Sequence, residues 1–118
     1  MNQILIVEDE ARLAAFVEKG LKKNGFNTVI AEDGEQAISL AQSSSFDLML
    51  LDLNLPVKDG WTVLQELRNK GKELPIIILT AMVDEGNKTA VLKAGANDYI
   101  TKPFSFQDLL ARIRTQLS

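Results

Sequence analysis

Five short apolar runs, separated by segments with helical periodicity, constrain the fold of this chain more than any other feature. The runs are Gln3-Ile4-Leu5-Ile6-Val7, Asn27-Thr28-Val29-Ile30-Ala31, Phe46 to Leu51, Pro75 to Thr80 and Asn97 to Thr101. Three of them are near-continuous in Ile, Leu and Val and do not alternate with polar residues. Strands buried on both faces read this way, as in a parallel sheet covered by helices. The second and fifth runs are more polar, which suits the edges of a sheet. The segments between them carry helix signals. Leu13, Phe16, Val17 and Leu21 lie three and four apart ahead of Gly25, a stop signal. Asp33 with Gln36 has the spacing of a capping box, and Ala37, Ile38 and Ala41 follow on one side. Asp59 is placed to cap a helix carrying Val63, Leu64 and Leu67 that stops at Gly71. Ser105 with Asp108 resembles a second capping box, ahead of Leu109, Leu110, Ile113 and Leu117. The fourth segment, about Asp84 to Ala94, contains Gly86, Asn87 and Thr89, which weaken a helix and predict a loosely held one. Regular alternation of strand and helix predicts an open three-layer α/β sheet with right-handed crossovers. The length of 118 residues suits one domain over 1–118, with no linker, repeat or low-complexity run.

Composition narrows the chemistry. The net charge is −3, which argues against a basic nucleic-acid surface. No apolar run approaches the roughly 18 residues that span a bilayer. Met1-Asn2-Gln3 has no basic stretch followed by an apolar one, so no signal peptide is read and a cytoplasmic location is expected. The chain has no cysteine and no histidine. Disulfides, thiolate chemistry, Cys/His zinc sites and a histidine base within this chain are therefore excluded. Carboxylates, lysines and hydroxyls remain.

The polar residues at the ends of the apolar runs carry the functional signal. Glu8 and Asp9 follow the first run, Asp52 ends the third, Thr80 ends the fourth and Lys102 follows the fifth. In a parallel sheet the strand C-termini share one edge, and ligands bind there where strand order reverses. Singly, each has a bland explanation. Asp9 caps the next helix, Asp52 belongs to a turn, Thr80 is an ordinary strand end and Lys102 is a solvated lysine. Together they converge on one edge, which chance explains poorly. Asp52 is the pivotal case, because a carboxylate behind an apolar strand is costly without a compensating cation. Repulsion among three carboxylates is relieved by a divalent cation, and an all-oxygen ligand set favours Mg²⁺ or Mn²⁺. Asp52 beside such an ion is a natural nucleophile toward phosphorus, with Lys102 and Thr80 stabilising the transferred group. Phosphoryl transfer depends on positioning and charge stabilisation, so no histidine base is required.

These residues fall into motifs: Val7-Glu8-Asp9, Asp52-Leu53-Asn54-Leu55-Pro56 with Asp59-Gly60, Leu79-Thr80-Ala81, Gly95-Ala96-Asn97-Asp98-Tyr99 and Thr101-Lys102-Pro103-Phe104. In this order the chain resembles the receiver domain of bacterial two-component response regulators over essentially its whole length. The resemblance implies a flavodoxin-like (CheY-like) five-stranded parallel sheet of order 2-1-3-4-5 with five helices. It implies phosphorylation of Asp52 by a partner sensor histidine kinase. Asp9 would be a direct Mg²⁺ ligand, Glu8 would act through water, and Asn54 would lend its backbone carbonyl. Thr80 and Tyr99 would form the switch pair, Lys102 would hold phosphoryl oxygens, and Lys102-Pro103 would be cis. A phosphoryl group adds up to about two negative charges and would bias a two-state element around Thr80, Tyr99 and the fourth helix. Such a protein is a switch that promotes phosphorylation and dephosphorylation of its own Asp52, not a turnover enzyme.

The last helix, with Phe104-Ser105-Phe106 and Leu109 to Arg114, is similar to that of the winged-helix DNA-binding class of these regulators. In that class active receivers form homodimers through the fourth helix, fifth strand and fifth helix. Lys88, Asp98, Asp108 and Arg112 stand where the class places intersubunit ion pairs, Lys88 with Asp108 and Asp98 with Arg112. Asn97 departs from the acidic residue common there. DNA binding would belong to a C-terminal domain absent from this chain, cut away or naturally lacking. Met82, two beyond Thr80, is expected to influence phosphoryl lifetime. Three rivals fit less well. A haloacid-dehalogenase-like phosphatase needs an acid two residues after its nucleophile, where this chain has Asn54. A flavin module needs a phosphate loop where this chain has Glu8-Asp9-Glu10. A pseudo-receiver would have lost Asp52, Lys102 or one of the acidic pair.

Overall fold

The computed structural model describes residues 2–81 and 85–118. Its elements are β1 (Gln3–Val7), α1 (Ala11–Lys23), β2 (Asn27–Ala31), α2 (Gly34–Ser43), β3 (Leu48–Asp52), α3 (Gly60–Asn69), β4 (Ile76–Thr80), α4 (Glu85–Lys93), β5 (Asp98–Thr101) and α5 (Phe106–Leu117). The five strands form one parallel sheet in the order β2-β1-β3-β4-β5, as the resemblance implies. The described helix α4 ends one residue before the expected Ala94, and its expected start at Asp84 lies outside the described residues, as does Met82.

Side-chain alternation along the strands divides the core in two. Leu5, Val7, Met49, Leu51, Ile76 and Ile78 point to one face, where α2, α3 and α4 supply Ile38, Leu64, Leu67 and Val91. Ile4, Ile6, Leu48, Leu50, Ile77 and Leu79 point to the other, where α1 and α5 supply Val17, Leu21, Leu109 and Ile113. A central strand that feeds both cores has no polar face, which is why its sequence reads as a continuous apolar run. β3 and β4 are buried at every position, whereas β2 and β5 are partly exposed. Each fully buried Leu or Ile contributes about 1.5–3 kcal/mol of transfer free energy.

Three expected strands start later than their apolar runs. β3 begins at Leu48, because Asp47 turns its carboxylate to accept the backbone N–H of Gln3 at 2.7 Å and so closes the start of β1. β4 begins at Ile76, and the Pro75 carbonyl before it still accepts from Met49 N–H at 2.9 Å. β5 begins at Asp98, because the side chain of Asn97 has replaced a ladder rung: Asn97 Oδ1 accepts from Ile76 N–H at 2.9 Å. The caps sit where predicted. Asp33 accepts from Gln36 N–H at 2.8 Å, Asp59 from Thr62 N–H at 2.8 Å and Ser105 Oγ from Asp108 N–H at 3.1 Å. The two capping boxes are modified. Gln36 Oε1 reaches Glu32 N–H rather than its cap residue, and Asp108 turns its carboxylate to Arg112.

Candidate functional site

A parallel sheet presents all its strand C-termini at one edge. The chain leaves β1 in one direction to form β2 and returns on the other side to form β3, so strand order reverses between β1 and β3. Glu8 and Asp9 lie just beyond β1, Asp52 is the last residue of β3, Thr80 the last of β4, and Lys102 follows β5. All five therefore surround that reversal point. Asp9, Asp52, Thr80 and Lys102 line a cleft of about 690 Å³.

Asp52 lies at the floor of this cleft, 5% exposed. Its Oδ2 accepts from Lys102 Nζ at 3.0 Å and its Oδ1 from Asn54 N–H at 3.1 Å. The backbone beneath it is held by α3. Gly60 N–H donates to the Leu53 carbonyl at 2.8 Å, and a Cβ on Gly60 would come within 2.4 Å of the Asp52 carbonyl oxygen. Only glycine allows that approach.

Lys102 Nζ also donates to Glu8 Oε1 at 2.9 Å, and Glu8 Oε2 accepts from Glu10 N–H at 3.1 Å. Glu8 is 1% exposed. Burial raises its carboxyl from the ordinary 4.5 to about 7, against the opposing pull of Lys102 and the Glu10 amide. Burial acts to lower the Lys102 ammonium, but its hydrogen bonds to Glu8 and Asp52 outweigh this and hold it above 10.5. One ammonium thus bridges two buried carboxylates from different strands.

Carboxylate oxygens of Glu8, Asp9 and Asp52 all lie within 4.8 Å of one another. Three acids against one ammonium leave excess negative charge. Oxygen donors of this kind and spacing fit a small hard dication better than a soft metal. The acidic cluster can hold a metal. Asn54 lies on the cleft wall two residues beyond Asp52.

Thr80 is buried, and it shares a narrow crevice with Leu53, Asn87, Lys88, Val91 and Tyr99. The two residues of the expected switch pair thus meet at one crevice, connected to the cleft through Thr80. Lys88 Nζ sits 5.1 Å from the centroid of the Tyr99 ring, a cation–π arrangement. Arg112 is engaged within its own chain: its guanidinium lies 3.0 Å from Asp98 Oδ1, 3.1 Å from Asp108 Oδ1 and 3.0 Å from the Tyr99 carbonyl. The Lys102-Pro103 peptide is cis, as expected.

Sequence reasoning missed several residues. Glu10, Asp59 and Trp61 also line the cleft. Asp59 had a capping role that concealed a second position, and Glu10 extends an acidic run whose reach was visible. Arg68 gave no signal at all. It donates to the carbonyls of Gly95, Lys72 and Leu74 and to Asn97 Oδ1, at 3.0, 2.8, 2.9 and 2.9 Å.

Residues 4–114 match the family described as the response regulator receiver domain. The chain is 39% identical to the transcriptional regulatory protein PcoR of Escherichia coli over 117 residues, 99% of this chain and 52% of PcoR. It therefore spans about half the length of that relative. The receiver domain of a Francisella response regulator superposes with a TM-score of 0.97 at 33% identity, covering 99% of this chain and 97% of that one. The response regulator TrrA of Thermotoga maritima, solved in complex with Mg²⁺–BeF, gives a TM-score of 0.89 at 32% identity over 99% of this chain and 100% of its own. Fold, strand order and the acidic edge agree with the match along nearly the whole chain: it belongs to the response regulator receiver domain family.

Proposed function

We propose that residues 1–118 act as one phospho-acceptor domain in which Asp52 receives a phosphoryl group from a sensor histidine kinase. The observation that carries this reading is the Asp52 carboxylate, buried at the cleft floor, 3.0 Å from an ammonium and beside two further acids. Asp52 Oδ attacks phosphorus as the histidine N–P bond breaks and the kinase's imidazole leaves, and Lys102 and Thr80 stabilise the oxygens of the transferred group. Glu8, Asp9, Asp52 and the Asn54 carbonyl would hold Mg²⁺, with Mn²⁺ an alternative; when bound, it supplies the positive charge that lets phosphoryl and carboxylate oxygens approach. The Mg²⁺–BeF complex of TrrA supports this choice of metal. The chain promotes transfer to and release from its own Asp52 and turns over no external substrate.

The readout runs through Thr80 and Tyr99. Their shared crevice offers a route by which a new charge on Asp52 repositions Thr80, then Tyr99, and with them the surface of α4, β5 and α5. On that surface the activated domain forms a homodimer. Arg112 and Asp98, paired within one chain here, would exchange partners across the interface, and Lys88 would meet Asp108. PcoR is a transcriptional regulator, which supports a winged-helix DNA-binding domain following the receiver and a cytoplasmic location. Among the described residues no helix is long and apolar enough to cross a membrane. A dehalogenase-like phosphatase is disfavoured because Asn54 cannot serve as the required acid and the candidate nucleophile sits on β3.

Incubation with phosphoramidate and Mg²⁺, read by intact mass, tests the reading. One phosphoryl addition is expected, abolished by chelator and by Asp52→Asn. Undiminished labelling of Asp52→Asn would place the acceptor elsewhere.

A further inference from the structure

The cleft is more acidic than metal and phosphoryl binding require. Besides Asp9 and Asp52, with Glu8 bonded to Lys102 beside them, the lining includes Glu10 and Asp59, and both are exposed. Among the described residues Lys102 is the only cationic one lining the cleft, and it is already bonded to Glu8 and Asp52. A dication and an ammonium balance three carboxylates. Among the described residues, Glu10 and Asp59 then have no ion-pair partner. The Asp59 bond to Thr62 N–H caps α3 but leaves its charge in place.

Their position relative to the nucleophile gives this excess charge a direction. Asp52 is 5% exposed at the floor, so a phosphoryl group reaches it from the solvent side. Attack is in line, and the leaving group departs opposite the attacking oxygen. It therefore leaves on the solvent side of a cleft whose lining includes the exposed Glu10 and Asp59. We propose that Glu10 and Asp59 select phosphodonors by the charge of the leaving group, favouring nitrogen–phosphorus donors over acyl phosphates. The proposal rests on Asp52 as the acceptor.

The two steps balance differently. With phosphoramidate, H₃N⁺–PO₃²⁻, an Asp52 Oδ–P bond forms, the N–P bond breaks and neutral ammonia departs. With acetyl phosphate the same bond forms, the acyl O–P bond breaks and acetate leaves with its negative charge. The exposed carboxylates attract the first donor's cationic nitrogen as it enters. They repel the second donor's additional charge on entry and its acetate on departure. A phosphohistidine protonated on its second ring nitrogen, which releases neutral imidazole, falls in the favoured class. Exposed charges act through water and salt, so each acid is worth about a two- to threefold effect on the rate ratio, larger at low ionic strength.

The test measures initial phosphorylation rates of the full chain with each donor and Mg²⁺, by intact mass, at low and high salt. The variants are Glu10→Gln, Asp59→Asn and the double variant; asparagine retains the α3 cap. The phosphoramidate-to-acetyl-phosphate rate ratio is expected to fall about fivefold in the double variant at low salt, with the difference shrinking at high salt. An unchanged ratio with both donors still labelling Asp52, or an equal loss with both, would overturn the selection and leave Asp52 as acceptor. Absence of labelling by either donor in the wild type would instead overturn the acceptor assignment, and the selection with it.

Discussion

Glu8 is the residue whose environment makes the most distinctive demand. Its carboxyl is raised from 4.5 to about 7 by burial, so the folded chain holds that proton more tightly than the unfolded chain. Its contribution to stability is therefore full below pH 4.5 and is lost as pH rises through about 7. The size is on the order of 3 kcal/mol. Without metal, the stability advantage of Glu8→Gln over the wild type is expected to grow between pH 5 and pH 8, measured by urea unfolding. If Glu8 helps to hold Mg²⁺ as proposed, metal binding draws on its carboxylate and runs the other way. Trp61, the only tryptophan in the chain, lines the cleft and reports it. A Mg²⁺ titration followed by its fluorescence is expected to show weaker binding at pH 6 than at pH 8, with Glu8→Gln flattening the dependence. Val57 makes a different demand. It is 75% exposed with φ of 68°, and Lys58 N–H donates to the Pro56 carbonyl at 2.8 Å, closing a γ-turn around it. A β-branched residue there is strained by about 1–3 kcal/mol. Val57→Gly is expected to stabilise the fold by about 1 kcal/mol, after glycine's extra chain entropy is subtracted, seen as a higher urea midpoint. An unchanged or lower midpoint would show that the turn carries no such strain.

Elements are held in register by a few polar clips. Arg68, near the end of α3, joins the α3–β4 loop to the α4–β5 loop through four acceptors, and Asn97 completes the clip by accepting from both Arg68 and Ile76. Arg68→Ala leaves several of these carbonyls short of a donor and is expected to destabilise the fold by about 2–3 kcal/mol, lowering the melting temperature. At the other end of α3, Gly60→Ala forces a Cβ against the Asp52 carbonyl and is expected to cost about 3 kcal/mol. Five helices and five strands were legible because their signals are local: apolar runs, three-and-four spacing, caps and glycine stops. Asp9, Asp52, Thr80 and Lys102 were legible because parallel strands gather their ends at one edge. What the sequence withheld depends on distant partners. Asn97 looks like a loss at the dimer face until Arg68 and Ile76 are seen beside it. Gly60 reads only as part of the Asp59-Gly60 motif until the Asp52 backbone is found against it. Arg68 has the composition of any helix-surface arginine.

At the scale of the whole molecule, the proposed switch rests on Thr80, which lines both the acidic cleft and the crevice it shares with Tyr99. If α4, β5 and α5 form the output face, Mg²⁺ with beryllofluoride, a phosphoryl mimic, is expected to shift the chain from monomer toward dimer in sedimentation velocity. Arg112→Ala should weaken that shift, since it removes the group contacting Asp98, Asp108 and the Tyr99 carbonyl. A chain that stays monomeric at high concentration with the mimic bound would move the output elsewhere. The acceptor itself is tested most directly by trapping. Phosphorylated chain is reduced with borohydride, which converts an aspartyl phosphate to homoserine, and is then mapped by peptide mass spectrometry. Homoserine at position 52 alone is the predicted result; homoserine at any other acidic position, with Asp52 intact, would contradict the account.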